Sequence, residues 1–293
     1  MSLFVEKSCR LDHFLTAQYP DFSRSYFQKL IQKGLVLVNG EKIKKGQKLK
    51  VQDEVEVEFL IEEELRLEPE YIPLQILYED DDLLAINKPQ GMVVHPAPGH
   101  RTKTFANALV YHLKKNPFND NLRPGIVHRL DKDTTGVLLA AKHLKSQVKL
   151  VSLFAERKMH KQYNAICLGT VQNQTINMPI GRDPKHRQKM KVIESGKEAL
   201  SIVKTLAFDD TLSFVEVEIK TGRTHQIRVH LKQIGHPILG DSVYGNTTLN
   251  KKLKATRLFL HARVLSFIHP FSNQKITIEA PLPKDFETLI HSL

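Results

Sequence analysis

The sequence predicts an α+β protein of two domains: a small α/β domain, then one larger domain with a mixed sheet. Short β-like runs and helical stretches are interspersed in the larger part, without the strict strand–helix alternation of a parallel βαβ fold. Residues 61–73 are acidic and contain two prolines, which is typical of a linker. We therefore predict domains at residues 1–60 and 74–293.

The first domain carries clear local signals. Ser23 is a suitable N-cap for a helix that stops at Gly34, because apolar residues between them recur at helical spacing. Leu35–Val38 is strand-like, and Asn39-Gly40 directly after it is a strong hairpin signal. Residues 1–51 hold ten basic and four acidic side chains. This part of the chain therefore presents a basic face.

That basic face predicts RNA binding. Arg10, Arg24 and Lys29, with the lysines after the hairpin turn, are placed to converge on phosphates. A generic α/β domain with a solvated basic face is the alternative. The pattern in residues 10–15, 23–31 and 34–40 resembles the small RNA-binding domain first described in a ribosomal small-subunit protein. We expect such a module at residues 1–60.

The overall charge also favours nucleic acid. The net charge is +11, but residues 53–82 hold thirteen carboxylates and a single base, Arg66. The rest of the chain then has 42 Lys+Arg against 19 Asp+Glu, a net charge of +23. Such a positive field favours a polyanionic partner. Membrane lipid is the alternative, but no long amphipathic basic helix supports it.

Cysteine usage and hydropathy narrow the class of protein. Cys9 and Cys167 lie far apart and in no CxxC or Cys/His cluster, so neither a disulfide framework nor a zinc site is indicated. Charge appears too early, at Glu6 and Lys7, for a secretory signal. No apolar run approaches the ~20 residues that a membrane helix needs. We expect a soluble, cytoplasmic monomer without a metal.

Three polar segments stand among apolar and glycine residues in the larger domain. By itself, residues 86–96 indicate only a hairpin-like feature with Pro89 and Gly91 at its turn. Residues 125–136 are denser in charge, and such density beside buried strands is costly unless the charges are paired or used. Two carboxylates, one guanidinium and one imidazole fall within six residues, at Asp131, Asp133, Arg129 and His128. A charged turn capped by Asp133 and Thr134 is the alternative interpretation.

The third segment, residues 220–231, predicts a helix. Thr224 can cap it, an apolar stripe follows at helical spacing, and Gly235 ends it. Arg228 lies among the core-forming residues, so a buried ion pair is plausible, and His225 lies close to it at a spacing of three. A surface arginine is the alternative.

Together and in this order, the three segments resemble the signature motifs of the RluA family of RNA pseudouridine synthases, which modify large-subunit ribosomal RNA and some transfer RNAs. The matching stretches are Asn87-Lys88-Pro89, His95-Pro96, residues 125–136 and 222–230, and Ala280-Pro281-Leu282-Pro283. Three long motifs at consistent spacing are far more specific than one. The N-terminal module together with residues 131–135 is most similar to members that act on a single helix-and-loop of large-subunit ribosomal RNA.

The resemblance implies a mixed, largely antiparallel catalytic sheet and an isomerase. Such enzymes break the C1′–N1 bond of uridine, rotate the base and rejoin it through C5, which requires neither cofactor nor metal. Asp131 matches the catalytic aspartate, acting either as nucleophile or as the group that removes the 2′ proton. Arg228 matches the basic residue that pairs with it, and a neighbouring guanidinium favours an ionised carboxylate. Tyr163 matches a tyrosine that contacts the target ring and handles the C5 proton.

The resemblance also implies substrate contacts. Arg129 matches a residue that fills the space vacated when the target base leaves its stack. His128, Asp133 and His225 are expected either to orient Asp131 or Arg228 or to touch RNA, and Arg223 is expected to bind RNA. The predicted partner is large-subunit ribosomal RNA or a pre-ribosomal particle.

Other readings remain as alternatives. The same chemistry could act on other ribosomal or transfer RNA uridines, and a non-catalytic RNA-binding assembly protein could keep the fold. Asp131-Lys132-Asp133-Thr134-Thr135 also matches the first motif of haloacid-dehalogenase-type phosphatases, with Gly240-Asp241 as a later acidic motif. That family requires an uninterrupted apolar strand before its first aspartate, and His128 and Arg129 interrupt it here. The protein-kinase catalytic loop is excluded by residue order.

Overall fold

The computed structural model describes all residues except 1, 21, 23, 45, 60–66, 97–99, 115–117, 119–122, 187 and 292, and the side chain of residue 25. The chain divides into two compact units, Met1–Arg66 and Leu67–Leu293. The predicted N-cap at Ser23 and the first part of the predicted linker lie outside the described residues. Residues 67–73 are irregular and belong to the second unit, where Asn107 Nδ2 donates to the carbonyl of Glu68 at 2.8 Å.

The first unit consists of two helices and a small antiparallel sheet that share one apolar core. Its elements are β1 (Ser2–Phe4), α1 (Leu11–Gln18), α2 (Arg24–Lys33), β2 (Val36–Val38), β3 (Glu41–Lys42) and β4 (Glu54–Val57). The strand order is β1-β4-β2-β3. The predicted stop at Gly34 (φ +72°) and the hairpin turn at Asn39 (φ +53°) and Gly40 (φ +77°) are confirmed. Both turn residues are left-handed, which Asn-Gly adopts at low cost.

The second unit is built on a large mixed sheet. Its elements are β5 (Ile76–Glu79), β6 (Leu83–Lys88), α3 (Phe105–His112), β7 (Thr135–Ala141), α4 (Leu144–Ala155), β8 (His160–Leu168), β9 (Gln174–Asn177), β10 (Ile180–Arg182), β11 (Met190–Val192), β12 (Leu200–Phe208), β13 (Leu212–Ile219), α5 (Gln226–Gln233), α6 (Thr247–Lys252), β14 (Leu260–Ile268), β15 (Lys275–Glu279) and α7 (Lys284–Ile290). The strand order is β5-β6-β7-β14-β8-β13-β12-β9, β15 pairs with β14, and β10 and β11 form a separate ribbon. The pairing of β7 with β14 is parallel, and the other pairings described in the sheet are antiparallel. The predicted α+β class is confirmed.

Apolar residues cover both faces of the central strands. In β6, Leu84 and Ile86 face one core cluster, and Leu83 and Ala85 face the other. Successive side chains of a strand point to opposite faces, so an uninterrupted apolar run is what a strand covered on both sides requires. Helices α3 and α5 contribute to the first cluster and α4 to the second.

The start of β7 fixes the loop that precedes it. Gly136 has φ +105° and pairs with Ala262 of β14 in the parallel ladder. A Cβ at this position would lie 2.2 Å from the carbonyl oxygen of Ala262, so only glycine fits. Residues 131–134 are thereby held beside β14.

The predicted hairpin-like feature at residues 86–96 is wrong. After β6 the chain does not return along that strand. Instead, Val93 forms an isolated parallel bridge with Thr104, and the N–H of Gly91 donates to the carbonyl of Lys132 at 2.9 Å. The apolar run did not predict this path of the chain, because the partners of the turn lie far away in the sequence. This turn supports the loop that carries Asp131.

Candidate active site

Asp131 lies in the loop just before β7. Its Oδ2 accepts a hydrogen bond from Arg228 Nη1 at 2.9 Å. The loop closes on itself through Thr134 N–H, which donates to the carbonyl of Asp131 at 3.2 Å. The ion pair predicted from two distant segments is therefore present.

Lys88 holds the same loop through hydrogen bonds to backbone carbonyls. Its side chain is fully buried, and Nζ donates to the carbonyls of Pro89 (2.9 Å), Met92 (3.0 Å) and Lys132 (2.9 Å). Burial lowers the pKa of Lys88 to about 7, although the charges of Asp133 and Asp131 oppose that shift. The sequence placed Lys88 in a motif and gave it no role.

Arg228 of α5 bridges two carboxylates. Besides its bond to Asp131, Nε donates to Asp241 Oδ2 at 2.7 Å and Nη2 donates to Asp241 Oδ1 at 2.9 Å. Burial opposes the charge of Arg228, but the hydrogen bonds and charges of Asp241 and Asp131 outweigh it and raise its pKa. The guanidinium is thus charged and fixed in orientation.

Asp241 was missed by the sequence reasoning, which treated Gly240-Asp241 only as a look-alike of a phosphatase motif. Its side chain is buried, and Oδ1 also accepts the N–H groups of Val243 and Tyr244 at 2.8 and 2.9 Å. Burial would raise the pKa of Asp241, but Arg228 and these N–H groups lower it. The glycine before Asp241 was the local sign of a special backbone position. Gly240 has φ +74°, and a Cβ there would lie 1.6 Å from the carbonyl oxygen of Arg257, so only glycine fits.

Six of the predicted site residues line one pocket. They are Arg129, Asp131, Tyr163, Arg223, His225 and Arg228. The rest of the wall is Leu130, Thr134, Ile219, Gly222, Thr224, Gln226, Ile227 and Leu260. The pair of half-buried Asp131 and buried Arg228, two further arginines and several apolar groups thus share a cavity. A cavity lined by apolar groups with a few fixed polar ones is typical of a binding site.

Comparison with known proteins assigns the family. The family model described as RNA pseudouridylate synthase matches residues 82–233, and the S4 domain model matches residues 9–55. The chain belongs to the RNA pseudouridine synthase family. The predicted enzyme class, and the small domain of ribosomal-protein type, are confirmed.

Relatives of this synthase extend over nearly the whole chain. An uncharacterized RNA pseudouridine synthase of Bacillus subtilis, YlyB, is 42% identical over 291 residues, covering 98% of this chain and 95% of the relative. Ribosomal large subunit pseudouridine synthase D of Pseudomonas aeruginosa is 40% identical over 296 residues, covering 97% and 92%. Human RNA pseudouridylate synthase domain containing 1 has a similar structure, with a TM-score of 0.58 and 28% identity over 72% of this chain and 84% of that one.

Tyr163 of β8 forms part of the synthase pocket wall and is 9% exposed. Burial, and secondarily the charge of Asp131, raise the pKa of its phenol. The hydroxyl therefore stays protonated at neutral pH. This state favours a packing or hydrogen-bonding role over proton abstraction by a phenolate.

His225, rather than Thr224, stands at the N-terminus of α5, so the predicted cap at Thr224 is wrong. His225 is left-handed (φ +56°), and the helix begins at Gln226. The His225 side chain makes no capping hydrogen bond. The buried Gln226 amide instead orders the turn before the helix, because its Oε1 accepts from the Thr221 hydroxyl (2.8 Å) and the Arg223 N–H (3.0 Å). A buried amide with satisfied partners outweighs the local preference for a threonine cap.

His128 lies apart from the ion pair of the synthase. Its Nε2 accepts the N–H of Leu139 at 2.9 Å, and its ring stacks on Phe154 with centroids 4.6 Å apart. Burial, with the charge of Lys161, lowers the pKa of His128 to about 3. These contacts hold the segment before Asp131 against β7. They do not bring the ring to Asp131 or Arg228.

Two of the three predicted RNA-binding residues of the first unit, Arg10 and Arg24, contact a buried acid. Arg10 and Arg24 both donate to the carboxylate of Asp12, from Nε at 3.0 and 2.8 Å, and Gln28 Nε2 donates to it at 2.8 Å. Asp12 is 1% exposed, whereas both arginines and Lys29 are exposed. Two guanidinium groups are thereby held at the surface of the unit in fixed positions.

One cluster among the described residues has a composition compatible with a metal ion: Asp80, Asp82 and His269. The ring nitrogens do not fit that role. His269 Nδ1 accepts the N–H groups of Phe271 and Ser272, at 3.3 and 3.1 Å, so the hydrogen of the neutral ring is on Nε2, which faces the carboxylates. A ligating histidine needs the opposite arrangement.

In the part of the chain that the structure describes, no helix is long and apolar enough to cross a membrane.

Proposed function

We propose that this synthase converts uridines of large-subunit ribosomal RNA to pseudouridine, with Asp131 as the catalytic carboxylate and without a cofactor. The arrangement that carries the proposal is the Asp131–Arg228–Asp241 bridge at the wall of a partly apolar pocket. The buried Arg228–Asp241 pair is costly to desolvate, and it presents a fixed guanidinium to the half-buried Asp131. Such an arrangement has a use in chemistry, whereas a protein that only binds RNA does not need it.

The ribosomal target is supported by three observations. Relatives about 40% identical over most of their length carry the name ribosomal large subunit pseudouridine synthase D. An S4 domain precedes the catalytic domain, and the chain outside its acidic segment is strongly basic. Together they favour a structured, polyanionic substrate.

In the proposed reaction, Asp131 acts at the ribose of a uridine that has left its stack. In one route a carboxylate oxygen attacks C1′ as the C1′–N1 bond breaks, and the resulting ester bond to C1′ breaks again when C5 attacks. In the other route Asp131 removes the 2′ proton as the C1′–N1 bond breaks, which leaves a C1′=C2′ double bond, and Asp131 returns the proton to C2′ when C5 bonds to C1′. The base turns, C5 bonds to C1′, and the C5 proton is released while N1 gains one, so atoms and electrons balance without an oxidant. Arg228 orients the carboxylate through its hydrogen bond to Oδ2, and Arg129 fills the space that the base leaves.

The test is a map of pseudouridines in large-subunit RNA. RNA from cells lacking this protein should lose specific pseudouridines, detected by selective chemical labelling. Wild-type protein should restore them and Asp131→Asn should not. Restoration by Asp131→Asn would refute the catalytic assignment, and unchanged pseudouridines in the deletion strain would refute the ribosomal target.

A further inference from the structure

A short hydrogen-bond chain ends at the imidazole of His225. The Tyr244 hydroxyl accepts the N–H of Met190 at 2.8 Å, and the same oxygen lies 2.8 Å from His225 Nδ1. The amide occupies an acceptor position of the oxygen, and the hydroxyl keeps one hydrogen to donate. When that hydrogen is donated to Nδ1, Nδ1 is an acceptor and the neutral ring carries its hydrogen on Nε2.

That Nε2–H faces the proposed catalytic carboxylate. Nε2 lies 3.9 Å from Asp131 Oδ2, and both side chains line the pocket with 19% of their surface exposed. The left-handed backbone at His225 is sparsely populated for a residue other than glycine. It turns the imidazole toward both Tyr244 and Asp131.

Tyr244 belongs to the structure that also fixes Arg228. Its N–H donates to Asp241 at 2.9 Å, and its buried ring lies 5.1 Å from the guanidinium carbon of Arg228. Tyr244 thus contacts both residues that face Asp131, namely Arg228 and His225. The position of His225 is coupled to that of Arg228 through it.

We propose that Tyr244 holds His225 in the tautomer that presents Nε2–H to Asp131, which makes both of them positioning residues for that carboxylate. Arg228 and His225 then address the same oxygen, Oδ2, from two sides. This inference rests on the proposed role of Asp131.

The charges around His225 are consistent with a neutral ring. Burial lowers its pKa most, the charges of Arg228 and Arg129 lower it further, and those of Asp131 and Asp241 raise it, with a net lowering. A second proton would have to be placed on Nδ1, where the Tyr244 hydroxyl donates. The neutral ring with hydrogen on Nε2 is therefore the working form.

The first test reads the tautomer directly. Tyr244→Phe keeps the ring beside Arg228 and removes the hydroxyl. ¹⁵N NMR of His225 in the wild-type protein should show a pyridine-type Nδ1 and a pyrrole-type Nε2, and the variant should show a mixture. A wild-type protein with hydrogen on Nδ1 would overturn the inference. This measurement requires neither RNA nor activity.

The second test separates positioning from fold. With transcribed large-subunit ribosomal RNA as substrate, Tyr244→Phe should lower kcat about tenfold, as expected for one lost orienting bond, with KM within about twofold. The acid limb of the kcat profile should move to higher pH. Without the Tyr244 hydroxyl that donates to Nδ1, the neutral ring is protonated more easily and the pKa of His225 rises. An unchanged kcat and pH profile would contradict the inference.

A matched pair at His225 covers the case in which Tyr244→Phe does not fold. His225→Gln keeps an N–H donor near the Nε2 position and His225→Leu removes it, while both impose similar backbone strain. The glutamine variant should retain a higher kcat than the leucine variant, and equal kcat values would contradict the inference. If Asp131→Asn is inactive and these variants have full activity, only this inference fails, whereas an active Asp131→Asn refutes the proposed function.

Discussion

Arg228 contacts Asp241 through two parallel hydrogen bonds, of 2.7 and 2.9 Å, but contacts Asp131 through Nη1 alone, at 2.9 Å. The bidentate pair orients the guanidinium, and the single bond leaves Asp131 able to change its contacts during a reaction. Asp241 is therefore the anchor of Arg228, and Asp131 is the carboxylate that we propose reacts.

Asp131→Asn should abolish pseudouridine formation while RNA affinity stays within a few-fold of wild type. The amide keeps the shape of the side chain and loses the charge that either proposed step at the ribose requires. Product can be counted after selective labelling of transcribed large-subunit RNA, and affinity by filter binding. An equal loss of RNA binding would instead indicate a fold or binding defect.

Arg228→Ala should destabilise the protein by about 3–5 kcal/mol, because it leaves the buried Asp241 without its counter-charge. Urea unfolding of the full chain measures this. Arg129→Ala is the control, since Arg129 is an exposed arginine of the same pocket and its removal should change stability by no more than about 0.5 kcal/mol. Equal stability of the two variants would contradict the buried bridge.

Arg228→Lys should fold better than Arg228→Ala and still lose about 10²-fold in kcat. A lysine keeps the charge but cannot hold Asp241 bidentately and reach Asp131 at the same time, and small misplacement of a catalytic group is costly. Steady-state kinetics on transcribed ribosomal RNA measures the loss. Near wild-type kcat would show that the charge alone suffices.

Gly136→Ala should destabilise the second unit by about 3 kcal/mol or more, because the Cβ would overlap the Ala262 carbonyl and φ is +105°. Gly222→Ala is the control, since a Cβ there has open space and should cost less than about 1 kcal/mol. Thermal and urea unfolding compare them. Equal losses of stability in the two variants would contradict the close contact between Gly136 of β7 and Ala262 of β14.

Tyr163 should remain protonated through alkaline pH, because burial and Asp131 raise its pKa. The folded chain then keeps a proton that the unfolded chain loses near pH ~10. The stability from this group is complete below that pH and falls as pH rises above it. The difference in unfolding free energy between wild type and Tyr163→Phe, measured between about pH 8 and 11, should shrink with pH. A kcat limb near neutral pH that disappears in Tyr163→Phe would instead indicate a phenolate base.

Much of the fold followed from local patterns. The turn at Asn39-Gly40, the stop at Gly34 and the run Leu83–Ile86 were predicted because turn chemistry and the apolar period are properties of neighbouring residues. Where a prediction was wrong, a distant partner decided. The Gln226 amide at the start of α5 is held by Leu200 and Ser201 of β12, and the turn after β6 is held by the carbonyl of Lys132.

By itself, the sequence determined the family, the two-domain order, and Asp131 and Arg228 as a pair to be brought together, because ordered motifs are readable along a chain. Only the tertiary structure decided that Asp241 anchors Arg228, that Lys88 holds the Asp131 loop and that Tyr244 orients His225. Each of these is a contact between segments whose spacing follows no helical or strand period. Hydrogen-bond geometry of that kind exists only once the sheet and α5 have packed.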